Sequence, residues 1–295
     1  HYSAGGAIVQ LLRYPGSKNR CAEWIVNNFP ADYKKMTYIE PFFGSGAVFF
    51  KKERSCVEII NDINSDVVNL FRCVRDDADE LAYKICYTPW SREEYELSFE
   101  QSDDPVERAR RFIINSWFSF GSKGHFSKGS FRTIKKDNRS INGFSEMPYE
   151  ILKLSERLKS TPNSAVQIEN INALTLIEKY NCKNIFMYLD PPYMLDTRKS
   201  KKLYEDEFSD EAHEALLKII LESGARILLS GYNNDLYHEK LSGWHCEKKT
   251  VLGELGIPHT ECLWRNYTDA QDSLFNELSY DNAISNFGGL SCHGM

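Results

Sequence analysis

A buried strand that stops at two prolines is the feature that most constrains the fold of this chain. Residues 185–189 (Ile-Phe-Met-Tyr-Leu) form an unbroken apolar run, and Asp190-Pro191-Pro192-Tyr193 follows it directly. Proline has no N–H to donate to a sheet ladder, so the strand must end there and expose the residues that come next. The chain therefore places a carboxylate, two rigid residues and an aromatic ring at the end of a core strand.

Short apolar runs alternate with helical periodicity at both ends of the chain, and this alternation predicts an α/β fold. Predicted strands lie at 36–40, 56–60, 165–168, 185–189 and 226–229. Predicted helices start at Ala47, run through Val67, Leu70 and Val74, cover 173–180, and extend from a cap at Asp210 to about residue 223. Val251 and residues 261–267 are expected to add an antiparallel pair that closes the sheet.

Residues 76–164 differ from the segments on either side, because they begin acidic and helical and then become basic and aromatic. Between Arg108 and Arg139 there are nine Lys and Arg residues against one Asp, a local balance of 9 − 1 = +8 in a chain of net charge −6. We interpret 76–164 as an inserted domain, carried by an α/β core of residues 7–75 and 165–269, with 270–295 as a tail. A basic segment in an acidic chain favours nucleic acid as a partner.

The composition argues against a membrane protein and against a disulfide or zinc scaffold. The 295 residues are 42% hydrophobic and 26% charged, and no apolar run approaches the ~20 residues that a membrane span needs. Eight cysteines are scattered without a CxxC pair or histidines at zinc-finger spacing. We therefore expect free thiols in a reducing cytoplasm, no metal and no membrane association.

Residues 40–46 (EPFFGSG) connect the strand at 36–40 to the next helix. A glycine turn at this place lets a ligand approach the backbone, but such turns are also common for structural reasons, and the third glycine of a dinucleotide fingerprint is missing. Asp62 stands at the end of the next strand, where an acid can accept hydrogen bonds from a ribose diol. Its alternative role is to cap the following helix, and both roles can be shared among residues 61–64.

In an open α/β sheet, ligands bind beyond the carboxyl ends of the strands, so Asp190 is expected to face the same crevice as the glycine turn. Its carboxylate can accept hydrogen bonds from an amino group, and Tyr193 offers a flat ring on which a planar base can stack. A structural turn explains the prolines but not the acid and the ring together. The motif predicts a site for a planar heterocycle that carries an exocyclic NH2 group.

Several motifs stand in a fixed order along the chain: RYPGSK at 13–18, EPFFGSG at 40–46, DPPY at 190–193, LSGYN at 229–233 and ECLWRNY at 261–267. Taken together, they resemble the DNA adenine-N6 methyltransferases of the Dam and phage type, the D12 class of the alpha group. The resemblance covers most of the chain. It implies an α/β class I fold that binds S-adenosylmethionine, with a mostly parallel seven-stranded sheet, one antiparallel strand and an inserted, mainly helical target-recognition domain.

The resemblance also implies which residues form the site. Implied cofactor-binding residues are Tyr14, Lys18, Glu40, Pro41, Phe42, Gly44, Ser45, Gly46, Asp62, Ile63, Asn172 and Asp190. The family often has Asp where this chain has Asn172, and Asn can still hydrogen-bond the adenine of the cofactor. Implied catalytic residues are Asp190, Pro191, Pro192 and Tyr193. Tyr193 would stack on an adenine rotated out of duplex DNA, while Asp190 and the carbonyl of Pro191 accept hydrogen bonds from its N6 amino group.

Arg and Lys in the insertion, and in the segment after DPPY, are expected to contact DNA. The expected DNA-binding residues are Lys123, His125, Lys128, Arg132, Arg198 and Lys199. The alternative for each is a solvated face over an aromatic core, and Phe112 and Trp117 are expected to belong to that core. Duplex DNA is thus the expected partner of a monomeric, cytoplasmic enzyme from a bacterium or a phage.

Two other readings stay open at the level of the sequence. The same core serves amino-methyltransferases of RNA adenine or of cytosine N4, although the order of the motifs and the insertion favour DNA adenine. A catalytically inactive DNA-binding protein is a candidate of a different class, but Lys18, the glycine turn, Asp62 and DPPY are all intact. Asp190 either takes the proton from the amine or only polarises it.

Overall fold

A computed structural model describes residues 10–13, 16–120, 129–133, 139–193, 208–252 and 258–268. The strands in these parts are β1 (Thr37–Glu40), β2 (Val57–Asn61), β3 (Ser119–Phe120), β4 (Ser130–Phe131), β5 (Ala165–Glu169), β6 (Ile185–Leu189), β7 (Arg226–Tyr232), β8 (His245–Leu252) and β9 (Pro258–Arg265). The helices are α1 (Ala22–Asn27), α2 (Ala47–Lys51), α3 (Ser65–Asp76), α4 (Ala78–Cys86), α5 (Arg92–Leu97), α6 (Pro105–Phe118), α7 (Arg139–Ser145), α8 (Met147–Leu158), α9 (Ala173–Lys179), α10 (Asp210–Leu221) and α11 (Asp235–Lys240).

Seven strands form one sheet in the order β5-β2-β1-β6-β7-β9-β8. Strands β5, β2, β1, β6 and β7 are parallel to one another, whereas β9 runs antiparallel to both β7 and β8. β3 and β4 form a separate antiparallel hairpin in the insertion. The expected class I methyltransferase fold, with a mostly parallel seven-stranded sheet and one antiparallel strand, is confirmed.

The core lies on both faces of the sheet, and alternate residues of a strand belong to opposite faces. In β6, Phe186 and Tyr188 pack into one hydrophobic cluster, while Ile185, Met187 and Leu189 pack into the other. All five residues of β6 are buried. A strand that is covered on both faces reads as a continuous apolar run, which is why its sequence shows no alternation.

Short polar side chains set where the helices begin. Asn64 caps α3, because its side-chain oxygen accepts a hydrogen bond from the backbone N–H of Asp66 at 2.8 Å. The helix expected to be capped by Asp210 begins at that residue, but its cap is Ser209, whose hydroxyl accepts from the backbone N–H of Ala212. Ser209 has the extended backbone of a cap, and Asp210 is the first helical residue. The expected cap was therefore wrong by one position.

The insertion shares a hydrophobic core with the sheet. Phe112 and Trp117 are buried, as expected, and lie in the same cluster as Phe186 of β6. The indole N–H of Trp117 donates to the carbonyl of Leu11 at 2.9 Å, which ties α6 to the N-terminal segment. The bounds 76–164 stay a prediction, because this continuous packing marks no boundary between the insertion and the α/β halves. Residues 270–295, the predicted tail, lie outside the described residues.

The described residues contain no helix long and apolar enough to cross a membrane. Seven cysteines fall in the described ranges, and each of them is a free thiol. Three or more His, Cys, Asp or Glu side chains do not come together as a metal-binding group anywhere in those ranges.

Candidate active site

Side chains that follow several strands meet at one edge of the sheet. Glu40 ends β1, Asp62 follows β2, and Asp190 follows β6. The carboxyl ends of parallel strands lie at the same edge, where open α/β sheets bind their ligands. β9 runs in the opposite direction, so its first half reaches this edge as well, and Glu261 pairs there with Tyr232 of β7.

The glycine turn has the backbone that its residues predict. Gly44 and Gly46 have φ values of 49° and 69°, in the left-handed region that L side chains rarely adopt. A Cβ atom on Gly46 would lie 2.6 Å from Cζ of Phe43, so the turn also leaves no room for a side chain. The backbone N–H of Gly44 donates to Oδ2 of Asp62 at 2.8 Å. Asp62, which follows β2, therefore holds the glycine turn that follows β1.

Asp62 is buried, and its second oxygen, Oδ1, accepts from the backbone N–H of Asn64 at 2.8 Å. Burial raises the pKa of Asp62, although the backbone N–H groups of Asn64 and Gly44 oppose that shift. Because Asn64 is the residue that caps α3, the two roles considered for this segment belong to different residues. The carboxylate of Asp62 stays at the strand end, beside the turn.

The N-terminal motif reaches the same turn. The hydroxyl of Ser17 lies 2.9 Å from the hydroxyl of Ser45, which joins residues 16–18 to the 44–46 turn. Lys18 follows and is buried. Tyr14, the other cofactor-binding residue predicted in this motif, lies outside the described residues.

Two further predicted cofactor residues are held firmly by their neighbours. The carboxylate of Glu40 accepts a hydrogen bond from the hydroxyl of Tyr38 at 2.7 Å, and Glu40 is buried. Burial raises the pKa of Glu40 to about 8, against the lowering effect of the Tyr38 hydrogen bond. The carbonyl of Pro41 accepts from the side-chain amide of Asn61 at 2.9 Å. These contacts fix the backbone that leads into the turn.

The remaining predicted cofactor residues are more accessible. The side chain of Ile63 is 63% exposed. Phe42 packs edge-on against Phe208 at 5.6 Å between ring centroids. Asn172 is exposed and caps α9, because its side-chain oxygen accepts from the backbone N–H of Leu174. Its amide N–H2 group is the part of the side chain left for a ligand.

Lys18 and Asp190 form a largely buried ion pair in the crevice. Nζ of Lys18 lies 3.1 Å from Oδ1 of Asp190, and it also donates to the carbonyl of Gly16 at 2.8 Å. The same ammonium lies 4.4 Å from the centre of the Tyr193 ring, over its face. The positive charge of Lys18, a predicted cofactor-binding residue, thus lies next to Asp190 and Tyr193, two predicted catalytic residues.

The charges in the crevice depend on one another. Burial lowers the pKa of Lys18, but the carboxylates of Asp190 and Glu261 outweigh this effect, so the pKa is raised and the ammonium stays charged. Burial raises the pKa of Asp190, and the ammonium of Lys18 offsets part of that shift. Asp190 is therefore a carboxylate whose ionisation depends on a nearby cation.

The side chain of Tyr193 is held through its ring and through its hydroxyl group. The hydroxyl donates to Oε2 of Glu261 at 2.7 Å. Its ring packs edge-to-face against Tyr232, with centroids 4.4 Å apart and planes at 74°. Nε2 of His259 lies 3.0 Å from the other oxygen of Glu261. Pro191, which is buried, and Pro192, which is exposed, connect Tyr193 to the strand.

The sequence pattern of the D12 class N6 adenine-specific DNA methyltransferases matches residues 14–251 of the chain. The chain belongs to this family. The matched span holds the glycine turn, Asp62, the insertion and the Asp190-Tyr193 segment, so one family accounts for every part of the crevice that lies before β9. The chain is therefore an adenine-specific DNA methyltransferase.

Several known proteins are similar to this chain. The chain is 27% identical over 272 residues to the Type II methyltransferase M.MjaIII of Methanocaldococcus jannaschii, across 82% of this chain and 90% of that protein. It is 33% identical over 139 residues to the DNA adenine methylase of Haemophilus influenzae, across 42% of this chain and 48% of that protein. A solved rRNA methyltransferase, aviRa from Streptomyces viridochromogenes, is similar at 14% identity and a TM-score of 0.41, across 89% of this chain and 90% of that one.

Of the DNA-binding residues predicted in this methyltransferase, Arg132 alone lies in the described ranges; Lys123, His125, Lys128, Arg198 and Lys199 lie outside them. The guanidinium of Arg132 donates to the carbonyl of Ser119 at 3.1 and 2.8 Å, and its backbone N–H donates to Phe118. Arg132 therefore fastens the β3–β4 hairpin. Its contact with DNA stays a prediction.

The local charge of the insertion is smaller than the count of basic residues indicates. Arg110 pairs with Glu107 at 2.8 Å and with Glu94 at 2.7 Å, and Arg111 pairs with Glu107 at 2.8 Å. Arg108 pairs with Asp66 at 2.5 Å. Glu107 precedes the counted window by one residue, and the other acidic partners of these arginines, Glu94 and Asp66, lie in α5 and α3. The value of +8 thus overstates the charge that these arginines offer to DNA.

Sequence reasoning missed the residues that complete the crevice from β7 and β9, namely Tyr232, His259 and Glu261. Glu261 opens the ECLWRNY motif and Tyr232 lies in LSGYN, so both residues belong to recognised motifs, but the sequence alone assigns neither of them a function. An antiparallel last strand brings its first residues to the carboxyl ends of its parallel neighbours. That geometric rule, applied to the predicted antiparallel pair, would have placed Glu261 in the site.

Proposed function

We propose that this methyltransferase binds S-adenosylmethionine across the 44–46 turn and transfers its methyl group to N6 of an adenine. The adenine would be rotated out of duplex DNA into the crevice between Asp190 and Tyr193, because a stacked and paired base hides its reactive edge. The enzyme would modify one particular DNA sequence, as a monomer in the cytoplasm, where both substrates occur.

One observation carries the assignment of the base site. The ammonium of Lys18 is 3.1 Å from the Asp190 carboxylate and lies over the face of the Tyr193 ring. A flipped adenine needs the same two contacts, with its amino group on the carboxylate and its ring stacked on the aromatic side chain. The crevice therefore already holds an N–H donor where the amino group of the base would go. The entering base has to displace this ammonium.

The chemistry follows from the charges around Asp190. The amino nitrogen of adenine is a weak nucleophile because its lone pair is delocalised into the ring. Hydrogen bonds from this amino group to Asp190 and to the carbonyl of Pro191 would localise the lone pair and aim it at the methyl group. Such positioning and electrostatic effects supply most of the catalysis expected here. Burial raises the pKa of Asp190, so this carboxylate is well placed to accept the N6 proton.

The residues beside the turn fit S-adenosylmethionine. Gly44 leaves the backbone open to a close ligand, and Asp62 presents a buried carboxylate to a ribose diol. Ile63 offers an exposed apolar surface to the adenine ring, and Glu40 lies at the adjacent strand end. When bound, the cofactor supplies a methyl group on a positively charged sulfur, which keeps the bonding electrons as the methyl leaves.

DNA would reach the crevice along the insertion. Arg13, in the N-terminal segment, contacts two residues of the insertion. Its guanidinium lies 4.1 Å from the Trp117 ring and 3.1 Å from the hydroxyl of Ser140. Burial, and to a lesser extent the charge of Arg132, lowers the pKa of Arg13 to about 10. Two guanidinium groups that act on one another suit the phosphates of a DNA backbone. Arg132 and the other predicted basic residues would extend this contact.

The decisive experiment incubates the protein with S-adenosylmethionine and DNA from a methylation-free host, followed by mass spectrometry of the nucleosides. We expect N6-methyladenine from the wild type and from Asp103→Ala, a control at an exposed aspartate. Asp190→Ala should lose about 100-fold or more of this activity. Methylation that survives Asp190→Ala would contradict the catalytic assignment.

The same assay separates the other readings of the sequence. N4-methylcytosine, or a product found in RNA alone, would identify a different amino acceptor. A wild type that fails to bind S-adenosylmethionine would leave a DNA-binding protein. Modification-sensitive sequencing of the treated DNA would then report the recognised sequence and the methylated strand.

A further inference from the structure

We infer that Glu261 is a positioning residue that holds the ring of Tyr193 in place beneath the target base. This inference rests on the proposed base site. Glu261 is buried, with 6% of its surface exposed, and accepts the Tyr193 hydroxyl at 2.7 Å. Tyr193 is therefore tethered at the end of its side chain, beyond the ring on which the base would stack.

The fold explains why the tether comes from β9. Glu261 lies opposite Tyr232 in the antiparallel register between β9 and β7, and the ring of Tyr232 packs edge-to-face on Tyr193. His259 lies two residues before Glu261, so both side chains point to the same face of the strand. Nε2 of His259 is 3.0 Å from Oε1 of Glu261, so each carboxylate oxygen has its own partner. Both oxygens of this carboxylate are thus engaged, one by the Tyr193 hydroxyl and the other by His259 of the same strand.

A carboxylate does more at this position than a neutral acceptor. A hydrogen bond to an ionised acceptor is roughly twice as strong as one between neutral groups. Glu261 also adds its negative charge to that of Asp190 near the ammonium of Lys18. When the base displaces this ammonium from Asp190, Glu261 is a second carboxylate within the electrostatic reach of Lys18. The ring is therefore anchored and the displaced cation keeps a counter-charge.

Substitution at Glu261 should affect the transfer rate and leave cofactor binding intact. A side-chain hydrogen bond to a charged group stabilises by an amount that corresponds to about 10- to 100-fold in rate. We expect Glu261→Ala to lower kcat by about this factor, with the KM for S-adenosylmethionine unchanged. Glu261→Gln keeps an acceptor for the Tyr193 hydroxyl and should recover much of the lost rate. A residue that only supports the fold would not show recovery through the acceptor.

A double-mutant cycle tests whether Glu261 acts through the tyrosine. Tyr193→Phe removes the hydroxyl and keeps the ring, so Glu261→Ala should cost little more in that background than Tyr193→Phe alone. The matched control is Glu150→Ala, at a glutamate of α8 that is equally buried, 6% exposed, and belongs to the insertion. This variant should keep its kcat. Rates are measured on DNA from a methylation-free host with radiolabelled S-adenosylmethionine.

Two results would overturn the inference. One is an unchanged kcat in Glu261→Ala. The other is that Glu261→Ala lowers kcat by the same factor in the Tyr193→Phe background as in the wild type. If Glu261→Ala does not fold, the cycle is run with Glu261→Gln, where the smaller loss must also vanish in that background. A wild type that makes no N6-methyladenine would instead refute the proposed function itself. The two failures are therefore told apart by the wild-type reaction.

Discussion

Glu58 provides a test of how the insertion is held on the sheet. Its side chain in β2 is completely buried and pairs with two cations: Lys52, also completely buried, and Arg157 of α8 at 2.5 Å. Replacing Glu58 by Gln keeps the shape but leaves both cations without their counter-charge. Breaking a buried pair in this way costs about 3–5 kcal/mol, roughly a fifth or more of the 5–15 kcal/mol that stabilises an ordinary domain.

The assay is equilibrium urea unfolding followed by far-ultraviolet circular dichroism. The control is Glu53→Gln, because Glu53 pairs with Lys34 at 2.6 Å but is 74% exposed in its side chain; such surface pairs contribute about 0–1 kcal/mol. A Glu58→Gln variant as stable as this control would refute the reasoning. Burial alone would raise the pKa of Glu58, but Arg157 and Lys52 outweigh it and lower the pKa below its usual 4.5. The stabilisation is therefore complete between pH 4.5 and the pKa of Lys52, which burial lowers to about 8. It is lost as the pH falls through the lowered pKa of Glu58, a loss that Glu58→Gln should not show.

Two further predictions concern the crevice. Lys18→Met removes the cation that lowers the pKa of Asp190, so the acid limb of the kcat/KM–pH profile for DNA, which reports the enzyme before the base enters, should move to higher pH. Lys51→Met, at an exposed lysine, should leave this limb in place, and an unmoved limb in Lys18→Met would contradict the ion pair. Gly46→Ala places a Cβ in a left-handed residue and against Phe43, so it should cost at least about 1–2 kcal/mol and weaken S-adenosylmethionine binding in calorimetry. Gly243→Ala, where a Cβ meets open space, should change neither quantity.

The sequence predicted the parts of the site that depend on local chemistry. Prolines end β6 wherever it lies in the sheet, and a glycine turn needs glycine whatever surrounds it. Asp190, Asp62 and residues 44–46 could therefore be placed at strand ends from their neighbours in the chain. The edge that they share follows from the α/β pattern alone.

The sequence could not predict contacts that depend on how distant elements meet. Glu261 reaches Tyr193 only because β9 is inserted antiparallel beside β7. Glu58 would read as a solvated charge in a strand, yet its burial depends on Lys52 and on Arg157, a residue 99 positions away. Arg110 counts toward the positive charge of the basic segment, but its guanidinium pairs with Glu94 and Glu107. In each case a partner outside the local segment decides what a charged side chain does.

Strand β9 is the last of the described strands in the chain, yet it lies between β7 and β8 in the sheet. During synthesis, the glycine turn, Asp62 and the Asp190-Tyr193 segment all leave the ribosome before Glu261 does. Until β9 is inserted, β7 presents an open edge that can pair with other chains. We expect a nascent or truncated chain to carry nearly every motif of the enzyme and still be unable to methylate. Methylation by this fold would then begin only once β9 is in place.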